Sequence, residues 1–292
     1  MNLPRVLFVT GKGGTGKSTI AAALALALSH RGRTTLIDLE GRATAASMIG
    51  AAPQASASAH DSLMVVSLTQ RAELNSFVRR IVPVAAISER MLRSRTFGYV
   101  TAALPGLEAF LLLERIRIMA GEAALEDRHI VIDAPASGGA LELLAIAAGV
   151  KGIAPTGTLN RLADEVEAFL RDAHRFAAVV TLTPGELAVR EALETIAALR
   201  DKMQIAVAGA ILNQCAAPLF DPDEVRSLSA LGGHRALAHR RLAEQAATLA
   251  ARAQLEQAAT PVLELPMLYR AEMGARAVST LARTLAAGML SG

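Results

Sequence analysis

The chain has 292 residues, 52% hydrophobic and 20% charged. That apolar share supplies a buried core and excludes a mainly disordered chain. Thirty basic residues against 27 acidic ones leave a net charge of +3. With no long basic run, this excludes a dedicated nucleic-acid binder. The basic residues are nearly all Arg, and the only lysines are Lys12, Lys17, Lys151 and Lys202. Two of them lie inside one glycine-rich stretch, where Arg evidently would not serve.

In chain order, Val6–Val9 reads as a buried strand, followed by glycines from Gly11 to Gly16 and an Ala/Leu helix from Ser18 to about Arg31. Thr34–Asp38 is a second strand. Pro53–Asp61 is Ala/Ser-rich and reads as an exposed loop, and Met64–Leu68 is a third strand. Arg71–Gly121 is mainly helical, broken near Pro83 and at Leu104-Pro105-Gly106. His129–Asp133 is a fourth strand, followed by small residues and another helix. Phe176–Leu182 and Ile205–Leu212 are further strands, flanking a helix from Pro184-Gly185 to Asp201. Pro218–Pro222 reads as a loop. A helical pair over about Asp223–Ala258, interrupted at Gly232-Gly233, a strand at Val262–Leu265 and a helix over Ala271–Met289 complete the chain. Strands alternating with helices predict an α/β fold: a doubly wound, mostly parallel sheet with helices on both faces, as one domain over residues 1–292 with a helical subregion at about 71–121.

Cys215 is the only cysteine, so no intrachain disulfide or cysteine-rich metal site forms. The histidines show no metal-ligand spacing. The N-terminus lacks the apolar region and cleavage site of a signal peptide, and the longest apolar run, Ile20–Leu28, is too short to span a bilayer. A cytoplasmic protein without a transmembrane segment is expected.

Gly11-Lys12-Gly13-Gly14-Thr15-Gly16-Lys17-Ser18 fits the phosphate-loop pattern and follows a strand and opens a helix, as the motif requires. Glycines let successive backbone N–H groups turn towards a phosphate. The helix start presents its positive end to the same anion. Lys17 brings a compact charge to the β- and γ-phosphates, and the Ser18 hydroxyl is a ligand for Mg²⁺. Asp133, at the end of its strand, occupies the place of a second Mg²⁺-holding acid. Ser137-Gly138-Gly139 then offers backbone that can approach a γ-phosphate.

Lys12 is not needed by an ordinary phosphate loop. The run Lys12-Gly13-Gly14-Thr15-Gly16-Lys17-Ser18-Thr19 resembles the deviant Walker A motif of the MinD, ParA and ArsA class of ATPases. The resemblance implies ATP and Mg²⁺ as cofactors, and a dimer in which Lys12 reaches the partner's nucleotide. Where that class carries an Asp-Pro pair that positions water, this chain has Glu40-Gly41-Arg42. Glu40 can accept a proton or remain a solvated loop acid.

Asp133-Ala134-Pro135-Ala136-Ser137-Gly138-Gly139 followed by Ala140-Leu141-Glu142-Leu143-Leu144 looks like the second switch of the ArsA branch, which includes arsenite-pump ATPases and ATPases guiding tail-anchored proteins. Leu104-Pro105-Gly106-Leu107-Glu108 and Val180–Glu191 are also similar to that branch. By the same resemblance Asn213 reads the adenine and Pro266 lies where the adenine is covered. One cysteine cannot form the pump's metalloid site, so arsenite is not the expected cargo. Met91, Leu92, Phe97, Tyr99, Phe110, Leu111, Leu113, Ile116, Ile118 and Met119 could line a groove for a hydrophobic helix, with ordinary core packing the simpler reading.

The expected function is therefore an ATP-hydrolysing dimeric switch, homodimeric or paired with a related ATPase. It would drive or chaperone a hydrophobic or membrane-associated partner. The alternatives are a ParA- or MinD-like positioning ATPase and a nucleotide-binding subunit that does not hydrolyse.

Overall fold

The computed structural model describes residues 3–39, 44–50, 56–60, 62–82, 84–94, 106–125, 128–153, 156–218, 234–269 and 274–290. Its strands are β1 (Val6–Gly11), β2 (Thr34–Asp38), β3 (Ser56–His60), β4 (Leu63–Ser67), β5 (His129–Ala136), β6 (Phe176–Leu182), β7 (Val207–Cys215) and β8 (Val262–Pro266). They form one eight-stranded sheet in the order β3-β4-β2-β5-β1-β6-β7-β8. Every neighbouring pair is parallel except β3–β4.

The central strands are buried on both faces. All residues of β1, β2 and β6 are buried, which is why they read as near-continuous apolar runs. Alternation distributes their side chains: Val6 and Phe8 enter one core, Leu7 and Val9 the other. The second core is filled by α1 (Lys17–Ser29) and α10 (Ala275–Leu290), with α2 (Thr44–Met48) beside them. α1 is buried continuously from Thr19 to Ser29, so it needs no polar face; small alanines let it lie close to the sheet and to α10. The opposite core takes α3 (Gln70–Ile81), α5 (Leu107–Leu125), α6 (Ser137–Ile153), α7 (Thr158–Arg171), α8 (Glu186–Ala197) and α9 (His234–Gln257). α4 (Ala85–Leu92) packs its Met91 and Leu92 against that core.

Two expectations are revised. Residues 56–60, expected in a loop, form the antiparallel edge strand β3. Two helices rather than one connect β5 to β6, because Gly157 opens a new helix at Thr158. On the helical subregion the simpler reading, ordinary core packing, is what is seen: Phe110, Leu111, Leu113, Ile116 and Met119 are all buried. Among the described residues there, Val84 and Ile87 are exposed large apolar side chains, at 55% and 57%. Phe97 and Tyr99 lie outside the described residues, as do Leu104-Pro105, the Pro218–Pro222 loop beyond Pro218 and Gly232-Gly233. No described helix is long and apolar enough to cross a membrane.

Candidate nucleotide site

β1 sits between β5 and β6, and the chain leaves it first towards β2 and later crosses to β6. The carboxyl end of β1 is therefore a topological switch point, where ligands of open α/β sheets bind. Gly11 to Ser18 occupies this place.

The loop's shape is set by contacts that leave little choice of residue. Gly11 has φ +152°, and a Cβ there would lie 2.1 Å from the Thr181 carbonyl oxygen on β6. Gly16 has φ +88°, and its Cβ would lie 2.6 Å from Asn213 Nδ2. Thr15, buried, is held at both ends of its hydroxyl: Oγ1 is 2.9 Å from Lys12 O and 2.9 Å from Thr181 Oγ1. Asn213 Nδ2 donates to Thr15 O at 2.9 Å. Thr10 Oγ1 donates to Pro135 O at 3.2 Å and joins β1 to the segment after Asp133. β5, β6 and β7 thus each brace the loop.

The two lysines take different directions. Lys17 Nζ turns back to Lys12 O at 3.2 Å. Lys12 Nζ extends to α8 and meets Glu191 Oε1 at 2.6 Å. Gly13 and Gly14 are exposed at the loop's crest, and Ser18 lies in the first turn of α1. Thr19 faces inward, its hydroxyl donating to Met48 Sδ at 3.4 Å.

Asp133 is buried at 7% exposure on β5 and is the register partner of both Val9 and Asp38. Asp38 is also buried, at 3%, so two carboxylates stand side by side at the sheet's carboxyl edge. Sequence reasoning named Asp133 and passed over Asp38, although the same signal, an acid closing an apolar strand, marks both. Gly138 lies exposed in the first turn of α6. Pro266 ends β8 beside Cys215, and Met267 N donates to Cys215 O at 2.9 Å. Glu40, Gly41 and Arg42 lie outside the described residues.

Cys215 is buried, and burial, with the Glu264 carboxylate near it, pushes its thiol up to about 11. A protonated buried thiol is a poor ligand for a thiophilic metal or metalloid.

A family model described as the CobQ/CobB/MinD/ParA nucleotide binding domain matches residues 6–232. The chain belongs to this family. The match spans the phosphate loop, Asp133 and Asn213, and the doubly wound sheet is the α/β architecture of a phosphate-loop nucleotide-binding domain. The chain is similar to the protein named ATPase BagA of Mycobacterium tuberculosis, with 29% identity over 234 residues, 76% of this chain and 68% of the relative. "Putative ATPase Mb3704" of Mycobacterium bovis is similar to the same extent.

Proposed function

We propose that this protein is an ATP-hydrolysing dimeric switch of the ArsA-related kind that drives or chaperones a protein partner, with a hydrophobic or membrane-associated client. The observation that carries the reading is the phosphate loop with two lysines leaving it in different directions. Lys17 stays with its own loop. Lys12 extends to Glu191 on α8, a half-exposed pair, as a lysine meant for a second copy's nucleotide would.

The site suits ATP with Mg²⁺. Glycine N–H groups and the start of α1 favour a polyphosphate. Ser18 and Asp133 are oxygen donors of the kind a hard divalent cation takes, and Asp38 adds a second buried carboxylate beside Asp133. The cation, when bound, would neutralise charge developing on the phosphates. In the sequence, Glu40 takes the position that the resemblance gives to the water-orienting acid. Asn213, reading the adenine in the resemblance, holds Thr15 O with its Nδ2. Its place two residues before Cys215, beside Pro266, suits a role at the base end of the same site.

A ParA- or MinD-like positioning ATPase fits the same family. Its membrane-docking form finds little support in α10. The apolar face of that helix, Val278, Leu281, Ala282 and Leu285, is buried in the core it shares with α1. A helix lying on a bilayer needs that face exposed.

The deciding experiment is ATP turnover by the purified protein beside Lys17→Ala. Turnover above the variant's background supports the enzyme; equal rates would leave only the non-hydrolysing subunit. For assembly, the solution mass with ATP is compared between wild type and Lys12→Ala, and a wild-type dimer that the variant fails to form is expected.

A further inference from the structure

We propose that Glu191 is a positioning residue for Lys12: its carboxylate holds the ammonium away from its own chain's phosphates and keeps it available to the nucleotide of a second copy. The proposal rests on the reading of Lys12 as a lysine that acts across a dimer.

The backbone of Lys12 is fixed by three donors to its carbonyl oxygen: Thr15 N at 3.4 Å, Thr15 Oγ1 at 2.9 Å and Lys17 Nζ at 3.2 Å. With the backbone fixed, the path of a flexible four-carbon stem depends on what its ammonium meets. It meets Glu191 Oε1 at 2.6 Å, across 179 residues of sequence. Without that carboxylate, the strongest anion within reach of the loop would be the chain's own bound nucleotide. Lys12 would then join Lys17 on one set of phosphates.

Glu191 is well placed for this task. α8 follows β6, and β6 carries the Thr181 that fixes both Gly11 and Thr15. Glu191 therefore rides on an element already braced against the loop. The tether also yields when required. The side chains are 39% and 33% exposed, so the pair is solvent-screened and contributes little stability. A partner's triphosphate, with several charged oxygens, outcompetes one carboxylate for the ammonium.

The test uses Glu191→Ala, Glu191→Gln, Lys12→Ala and the Lys12→Ala/Glu191→Ala double variant of the full chain, each first shown to unfold at the wild-type temperature. Two quantities are read: the affinity of the monomer for a fluorescent ADP, and the ATP concentration that half-saturates dimerisation. In Glu191→Ala the freed ammonium should tighten ADP binding about two- to fivefold and weaken dimerisation by a similar factor. Both changes should vanish in the double variant relative to Lys12→Ala, and Glu191→Gln, which keeps an acceptor oxygen, should stay close to wild type. A purely structural role for Glu191 would not move ADP affinity and dimerisation in opposite directions. The proposal is overturned if Glu191→Ala matches wild type while Lys12→Ala prevents dimerisation, or if the Glu191 effect persists without Lys12. If Lys12→Ala dimerises as wild type does, the cross-dimer reading itself falls, and the tether with it. Should Glu191→Ala fold poorly, Glu191→Ser, whose side chain is too short to reach Lys12, replaces it, with the same opposed shifts expected.

Discussion

The phosphate-loop corner and the α3–α4–α5 cover are built on opposite plans. At the corner, buried hydroxyls, an amide and close backbone contacts join four strands: Thr10, Thr15, Thr181 and Asn213 each bond a group distant in sequence. Over the cover, the polar links between elements include exposed ion pairs, Arg71 with Glu108 at 3.0 Å and Arg79 with Glu89 at 2.7 Å. Buried polar contacts are costly to break because the surviving partner is left without water, whereas exposed ion pairs contribute little. The difference teaches that the nucleotide end is specified residue by residue. The cover is specified by its apolar inner face and is open to change on its outer one.

Gly11→Ala should have the largest effect. A Cβ 2.1 Å from Thr181 O, on a backbone at φ +152°, forces β1 and β6 apart. A loss of about 4 kcal/mol or more is expected in urea unfolding. A loss below that of the surface variants would break the comparison.

Next comes the alkaline response of Cys215. Its thiol is raised from 9.0 to about 11, so the folded chain keeps a proton that the unfolded chain has released. Stability should therefore be intact below about pH 9 and fall as pH rises towards 11, by about 2–3 kcal/mol from this group. Unfolding between pH 8 and 10.5 should show a gentler decline in Cys215→Ala than in wild type. Parallel slopes would refute the assignment.

Asn213→Ala leaves the Thr15 carbonyl without its amide partner. About 1–3 kcal/mol of stability should be lost, with a weaker grip on ADP than on a protein lacking only surface charges. The smallest effect belongs to the cover: Arg79→Ala should cost less than about 1 kcal/mol, and less still as salt is added. A larger cost would show that the outer links carry more than their exposure implies.

The sequence's legibility follows the same division. Thr34–Asp38 and Phe176–Leu182 were readable to the residue because strands buried on both faces are mostly apolar or β-branched, with their one charge, Asp38, at a strand end. Ser56–His60 was unreadable as a strand because Ser-Ala-Ser-Ala carries neither large apolar nor β-branched side chains. Its place comes from antiparallel pairing with β4, a tertiary fact. The phosphate loop was legible because its motif is local. The Lys12–Glu191 pair and the role of Thr181 were not, since each acquires meaning only when distant strands become neighbours. Asp38 carried the same local signal as Asp133, and only its place beside Asp133 needed the sheet. The inner face of α5 was legible as ordinary core, although composition reveals only an apolar helix and packing reveals what covers it.

One junction has a mechanical consequence. β5 ends at Ala136 and α6 begins at Ser137, so no slack separates the strand that carries Asp133 from the helix. Thr10 clips the junction at Pro135. The helix then runs seventeen residues, about 25 Å at 1.5 Å per residue. Near its far end, Lys151 is bonded to Asp164 and Glu167 of α7. A tilt of a few degrees at the junction becomes a displacement of an ångström or more at Lys151, as with a rod pivoted at one end. Hydrogen exchange around residues 151–167, with and without ATP, would register it as a change in protection remote from the nucleotide.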